Sequence, residues 1–212
     1  MENKSHGYQD STMVPSTSCE GVSAEIRQVI VKESDVVIVL LNKIENYIAS
    51  GNWARASSLS YCALLWSCEK TSHTTRRLVN ELIYGPLSLS VEAVLEFLSL
   101  LNREGLPDKC IESLAGIPLG IIYNLPVGDI LDNETLNSSL LEFIDNLLDL
   151  VLNSNTQKEV LEEVYREVNT FFSEYSKILG GKGLSSKFKK QFERIEDKWI
   201  RLVNLLSLST DY

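Results

Sequence analysis

The sequence predicts an all-α fold built from antiparallel helical hairpins. Apolar residues return every three or four positions through most segments, which is the spacing of one face of an α-helix. Glycine, proline and small polar residues interrupt these segments at short intervals, and no convincing pair of β-strands remains between them. The chain has 212 residues, 44% of them hydrophobic, and is therefore long enough to bury one substantial core.

The domain organisation predicted from composition is a tail followed by one helical domain. Residues 1–22 are polar enough to predict a disordered N-terminal tail, and they lack the basic and apolar blocks of a secretory signal. Residues 23–212 form the helical domain. A candidate sub-boundary lies at 116–132, where three glycines and two prolines in an apolar setting indicate an ordered loop or a bent helix. We therefore expect a cytoplasmic protein, with peripheral attachment to an organelle surface as an alternative.

The first hairpin is predicted from residue 23 onward. A helix over 23–49 contains the run VVIVLL at 36–41, whose β-branched residues favour strands, but the periodicity on both sides favours a helix. Gly51 ends this helix, and Asn52 can cap the next by accepting a hydrogen bond from a free backbone amide. The second helix runs from Trp53 through Trp66.

Three shorter helices are predicted next. The first covers 76–83 and ends at the pair Gly85-Pro86, which breaks helices on steric and hydrogen-bonding grounds. Ser90 starts the second, which ends at Gly105. Pro107 suits the first turn of the third, since its missing N–H costs nothing there.

The second half of the domain is predicted to contain three longer helices. Asp132 or Asn133 caps the first, and the polar string 153–156 ends it. Thr156 and Glu159 match the capping box, so the second helix is expected to open there. Glutamates along this helix are expected on its solvated face, opposite the valines.

The last helix is predicted to begin at Ser185 or Ser186, after the glycine-rich stretch 180–183 ends the helix before it. It is the chain's one basic amphipathic element, with lysines and arginines interleaved among aromatic residues. Such a helix could lie on an anionic membrane surface or fit a partner's groove. We favour a third interpretation, in which Phe192 and Trp199 close the last hairpin and the lysines are solvated.

Two of the predicted joints share a pattern. Gly51 is followed five residues later by Ala56, and Gly105 is followed at the same distance by Cys110, with a large apolar residue four positions before each glycine. Glycine allows a positive φ at the turn, and a small residue allows the returning helix to pack closely. The spacing resembles the turn of tetratricopeptide-repeat (TPR) hairpins, although the period of roughly thirty-four residues is not kept. The fold predicted is thus a TPR-like α-solenoid or an irregular bundle of hairpins.

A narrower resemblance covers residues 40–150. The hairpin at 91–114, followed by the segment IIYNLP at 121–126, is similar to the helical domain of the peroxin-26 family. This resemblance implies an adaptor in peroxisome assembly or import that docks a AAA ATPase complex. The sequence departs from that family at 188–212, where an amphipathic segment stands in place of a C-terminal membrane anchor.

Charge and cysteine content exclude several functions. The formal charge of -9 opposes binding to nucleic-acid phosphates, which requires a surplus of Lys and Arg. The four cysteines show neither CxxC spacing nor the density of a secreted disulfide scaffold, so they are predicted to be reduced thiols. They are Cys19, Cys62, Cys68 and Cys110. Zinc needs about four ligands, and the two histidines add too few for a metal site. No cofactor is expected.

No catalytic constellation is apparent. His6 lies in the predicted tail and His73 in a predicted polar loop, so no nucleophile has an evident base. We therefore predict a non-enzymatic adaptor or scaffold that binds a protein partner, with peripheral membrane binding through the last helix as the alternative. The residues predicted to contact the partner or membrane are Trp53, Tyr61, Trp66, Lys189, Lys190 and Trp199.

Overall fold

The computed structural model describes Cys19 and residues 33–154, 156–180 and 186–208. All regular elements within these ranges are helical, which confirms the all-α prediction. The helices are α1 (Glu33–Ala49), α2 (Trp53–Cys68), α3 (Ser72–Tyr84), α4 (Val91–Glu104), α5 (Ile111–Leu114), α6 (Ile117–Asn124), α7 (Val127–Asp132), α8 (Glu134–Asn153), α9 (Lys158–Leu179) and α10 (Ser186–Leu208). Two 3-10 turns cover Pro86–Leu89 and Asp108–Cys110.

The helices pack in two layers. In the front layer, α1, α2, α4, α8 and α10 contact one another in that order. In the back layer, α3, α6 and α9 do the same, and the short α5 lies between α3 and α9. From α2 onward the chain passes from the front layer to the back layer and returns. The layers share one apolar core, since the inward stripe of each amphipathic helix has the other layer to pack against.

The two glycine joints have the predicted backbone geometry. Gly51 has φ of 71° and Gly105 has φ of 90°, a region that side-chain-bearing residues rarely adopt. Ala56 is fully buried, as close packing of α2 requires. The expected cap at Asn52 is present, with its Oδ1 accepting from the Arg55 amide at 3.4 Å. The local physics of these turns was therefore correctly predicted.

Three helix starts differ from the prediction. Pro107 precedes the 3-10 turn Asp108–Cys110 and α5 begins only at Ile111, so this proline does not lie in the first turn of an α-helix. Thr71 caps α3 by accepting from the Thr74 amide at 3.2 Å, so α3 begins at Ser72 and His73 lies in its first turn instead of a loop. The capping box at Thr156 is wrong, because Gln157 is the N-cap residue of α9 and its side chain makes no capping bond. The Thr156 hydroxyl instead donates to the Val151 carbonyl at 3.4 Å, at the end of α8.

Residues 116–132 form two short helices, α6 and α7, in place of a loop or a single bent helix. Pro118 lies in the first turn of α6, where its missing N–H breaks no hydrogen bond. Gly120 lies in the middle of α6 and would destabilise it in isolation. Packing against α3 and α9 holds this helix in place.

The last hairpin closes on aromatic contacts, as favoured from the sequence. The rings of Tyr165 and Trp199 stack with centroids 4.7 Å apart, and those of Phe172 and Phe192 lie 5.4 Å apart. Lys198 is not solvated as predicted: its side chain is mostly buried, and its Nζ lies 2.6 Å from the buried Asp145 carboxylate, which ties α10 to α8. The apolar stripe of α10 is thus part of the core.

The prediction of reduced thiols is wrong. Cys19 is bonded to Cys62 and Cys68 to Cys110, and the described residues contain no free cysteine. The partners are 43 and 42 residues apart, so no short sequence spacing reveals them. Because Cys62 and Cys68 both lie on α2, the two bonds tie this helix to two other parts of the chain.

Candidate docking groove

The aromatic residues predicted as contact residues lie on α2, and most of their surface is unavailable. Tyr61 is buried in the core, and this burial raises the pKa of its hydroxyl, with a smaller contribution from Glu104. Trp53 and Trp66 are partly buried and pack against the core. Lys70 Nζ lies 5.5 Å from the centre of the Trp66 ring, a cation–π contact. These three aromatic side chains are therefore part of the packing of α2 and expose little of their surface to a partner.

The other three predicted contact residues lie on α10. Lys189 and Lys190 are exposed, whereas Trp199 is partly buried in its stack with Tyr165. In the front layer, α4 and α8 lie between α2 and α10. The structure therefore does not bring the six predicted residues together on one surface.

A different surface, in the back layer, is concave and is lined by polar, charged and apolar side chains. We call it the docking groove: a depression of about 230 Å³ between α3, α6 and α9. Val79, Ile83 and Leu119 supply its apolar wall. Gly120 brings α6 close to α3, since a Cβ atom there would lie 2.7 Å from Ile83 Cγ2. The absent side chain thus permits the close approach that shapes this groove.

The groove has an acidic lining. Three glutamates, Glu112, Glu163 and Glu167, and one arginine, Arg76, line it. The side chains of Glu163 and Glu167 are only 19% and 23% exposed, so they do not lie on a fully solvated face as predicted. Burial raises the pKa of Glu167, and the neighbouring Glu163 raises it further, whereas Arg166 and Arg76 lower it. A carboxylate in this setting gains from an additional cation.

Existing ion pairs neutralise part of this charge. Arg76 pairs with Glu112 across α3 and α5, and Arg166 pairs with Glu163 within α9. The nearest guanidinium nitrogen to Glu167 belongs to Arg166, at 3.9 Å from the carboxylate oxygen, which is the limit of an ion pair. Glu167 is therefore the groove carboxylate with the weakest cationic partner among the described residues.

Exposed aromatic side chains lie on two of the helices that form the groove. Tyr84 is 56% exposed at the end of α3, and Tyr123 is 54% exposed on α6. Tyr84 also lines the groove itself. Tyr123 follows Leu119 by four residues and so lies on the same face of α6. Exposed aromatic residues beside a concave surface are typical of protein contact sites.

A second depression, of about 460 Å³, adjoins the groove. Both residues of the Cys68–Cys110 disulfide line it, together with serine and threonine residues from the first turn of α3 and from the turn before α9. Glu112 and Ser113 line both depressions and therefore form the wall between them. We call this second depression the disulfide cavity.

The groove could not be predicted from the sequence for two reasons. The sequence of residues 116–132 predicts an ordered loop or a bent helix, to which no exposed helix face could be assigned. Gly116 and Gly120 are four residues apart and mark a shallow helix face, which was the available signal. The partial burial of Glu163 and Glu167 depends on α3 and α6, which lie far away in the sequence.

The described part of the chain holds no group of three or more His, Cys, Asp or Glu side chains arranged for a metal ion. None of its helices is both long and apolar enough to cross a bilayer. In comparisons with known proteins, no family, curated protein or solved structure shows significant similarity to the chain. The TPR and peroxin-26 resemblances therefore stay predictions.

Proposed function

We propose that this chain is a non-enzymatic adaptor whose docking groove binds a basic amphipathic helix of a partner protein. The observation that carries the proposal is the acidic, partly desolvated lining of a groove that exposed Tyr84 borders, with exposed Tyr123 on the neighbouring helix α6. Helix-in-groove recognition uses apolar anchors at helical spacing, with flanking charges that set specificity. Each of these requirements has a counterpart in the groove.

The groove suits a side-chain anchor better than a free small molecule. Its volume of about 230 Å³ lies below the roughly 300–1,000 Å³ typical of small-molecule sites. A leucine or similar side chain from a docked helix would contact Ile83 and Leu119. Lysine or arginine residues beside that anchor would then reach Glu163 and Glu167 on α9.

The arrangement of the two layers supports a solenoid. From α2 onward, consecutive hairpins add one front-layer helix and one back-layer helix each, and neighbouring hairpins contact within both layers, whereas α1 and α2 lie side by side in the front layer. This is the packing that TPR-like repeats use to build extended binding faces. In our proposal the back layer is that face. The peroxin-26 resemblance adds one specific partner, a AAA ATPase complex on the cytoplasmic side of the peroxisome.

The alternative function, membrane binding through α10, has weaker support. The apolar residues Phe188, Ile195 and Leu202 of this helix are buried in the core. Exposed Ile200 and Leu205 remain beside basic residues, and these favour the alternative. Flotation with anionic liposomes tests it, since membrane binding through α10 requires that Lys189→Gln combined with Lys190→Gln reduce the bound fraction.

Fluorescence anisotropy with a labelled synthetic peptide tests the adaptor proposal. The probe is a helix of about fifteen residues with leucines at positions i, i+3, i+4 and i+7 and lysines flanking them. We expect saturable binding that weakens as salt is added. Combining Glu163→Gln with Glu167→Gln should weaken it about fivefold to tenfold, or ~1–1.4 kcal/mol.

The matched control is the pair Glu159→Gln and Glu162→Gln. It removes the same charge from exposed positions of α9 that do not line the groove. Equal weakening by both pairs would show a general charge effect and contradict the groove. Absence of saturable binding to the wild-type chain would contradict the docking proposal itself.

A further inference from the structure

The Cys68–Cys110 disulfide lies at the edge of the fold where three turns meet. The turn between α2 and α3, the 3-10 turn Asp108–Cys110 and the turn between α8 and α9 all contribute to the disulfide cavity. Cys68 is partly exposed, whereas Cys110 is buried. A small thiol entering the cavity would therefore meet the Cys68 sulfur more readily than the Cys110 sulfur.

Few other side-chain contacts join the turn between α2 and α3 to the 3-10 turn Asp108–Cys110. Lys109 Nζ pairs with Glu69 Oε1 at 2.7 Å, directly beside the disulfide, but both side chains are mostly exposed. Water and salt screen such a pair. The disulfide is thus the one covalent tie between the end of α2 and the start of α5 in the described residues.

The disulfide is also connected to the docking groove. Glu112, two residues after Cys110, lines both the disulfide cavity and the groove. Its carboxylate pairs with Arg76 on α3, which lines the groove. Movement of α5 would alter this ion pair and the position of Ser113, which separates the two depressions.

We propose that Cys68–Cys110 is a thiol–disulfide exchange site that regulates the docking groove, an inference that rests on the proposed docking function. Reversible disulfides are usually catalytic or redox-sensing, and this one joins elements that line both the disulfide cavity and the groove. Reduction releases α5 from α2, loosens the Arg76–Glu112 pair and weakens partner binding. Oxidation restores the groove.

The reductant is a dithiol. One of its thiolates attacks the Cys68 sulfur, forming a mixed disulfide and releasing Cys110 as a thiolate that takes up a proton. The second thiolate of the dithiol then attacks the dithiol sulfur of the mixed disulfide. This step closes a cyclic disulfide and releases Cys68 as a thiolate, which also takes up a proton. Two electrons pass from the dithiol to the protein.

The second disulfide provides a matched control. Cys19–Cys62 closes a loop of nearly the same length, with a sequence separation of 43 against 42. Neither of its residues lines the groove or the disulfide cavity. Its removal should therefore destabilise the fold to a similar degree without acting on α5.

The test compares two variants of the full chain, C68S/C110S and C19S/C62S, at a temperature where both remain folded. Peptide affinity should fall about threefold or more in C68S/C110S, within the range reported for coupling between sites. Affinity should stay unchanged in C19S/C62S. Equal weakening in both variants, or full affinity in C68S/C110S, would overturn the inference.

Two readouts do not depend on the peptide. Alkylation and mass spectrometry should show that dithiothreitol reduces Cys68–Cys110 in the native wild-type chain, and resistance until unfolding would overturn the exchange site. Hydrogen exchange at residues 111–120 should rise in C68S/C110S and not in C19S/C62S, and no difference between the variants would overturn the coupling. A rise without any peptide binding would support the coupling and refute the docking function, so the two failures are distinguishable.

Discussion

Tyr175→Phe should destabilise the fold by removing one buried hydroxyl. Tyr175 is 1% exposed, and its hydroxyl donates to Asn137 Oδ1 at 2.8 Å. Asn137 is itself buried, and its Nδ2 donates to the Ile130 and Asn133 carbonyls at 2.7 and 3.0 Å. The network joins α9, α8 and the end of α7, and the substitution leaves Asn137 Oδ1 without its donor.

The expected loss of unfolding free energy is about 1–3 kcal/mol, the cost of a buried acceptor left unsatisfied. The ring itself keeps its burial and its stack on Phe171, at a centroid distance of 5.2 Å. Urea unfolding followed by far-ultraviolet circular dichroism measures the loss, with the m-value expected to stay constant. Tyr123→Phe is the control at an exposed position, where a change within about 0.5 kcal/mol is expected.

The same hydroxyl predicts a dependence of stability on pH. Burial raises the pKa of Tyr175 from 10.0 to about 12, so the folded state holds this proton where the unfolded state loses it. Stability is therefore unaffected by this group below pH 10 and falls between pH 10 and 12, by up to about 3 kcal/mol. Tyr175→Phe should remove this part of the slope. Equal dependence of stability on pH in the wild-type chain and Tyr175→Phe would contradict the raised pKa. A loss of unfolding free energy no larger than that of Tyr123→Phe would contradict the stabilising role of the buried hydroxyl.

Two further predictions concern the close approach of α6 to α3 and the ion pair that joins α10 to α8. Gly120→Ala should destabilise the fold by about 1–3 kcal/mol, because the added methyl group overlaps Ile83. Gly128→Ala is the control, because an added Cβ there has nothing within 4 Å, and it should be neutral or stabilise the fold by up to about 1 kcal/mol. Thermal unfolding compares the two variants, and equal effects would contradict the close approach of α3 and α6. Lys198→Ala should cost about 1.5–3 kcal/mol in urea unfolding, because Asp145 keeps only the mostly exposed Arg194. A change under about 0.5 kcal/mol, as at ordinary surface positions, would show that this ion pair does not hold α10.

Local features of the fold could be predicted from the sequence. The joints at Gly51 and Gly105 depend on the φ of one residue, and the caps at Asn52 and Asn133 depend on amides three residues away. Such features are encoded within a few neighbouring positions. Periodicity also distinguished the helix containing Val36–Leu41 from a strand.

Features that depend on distant contacts could not be predicted. The Cys68–Cys110 bond joins positions 42 residues apart and forms because α2 and the turn before α5 meet in space. The helix α6 has an interior glycine that lowers its intrinsic propensity, and it persists through packing on α3 and α9. The groove depends on the same packing of α6 on α3 and α9, and so it could not be predicted from the sequence either.

Chemical-shift mapping of the isotope-labelled chain with the basic peptide tests the docking groove most directly. We expect the largest backbone amide shifts to cluster at Arg76, Gly116, Gly120 and Glu167, around the groove. Shifts on α10 should stay small, since its exposed lysines lie in the other layer. Shifts concentrated on Lys189 and Lys190, or spread evenly over the acidic surface, would contradict docking in the groove.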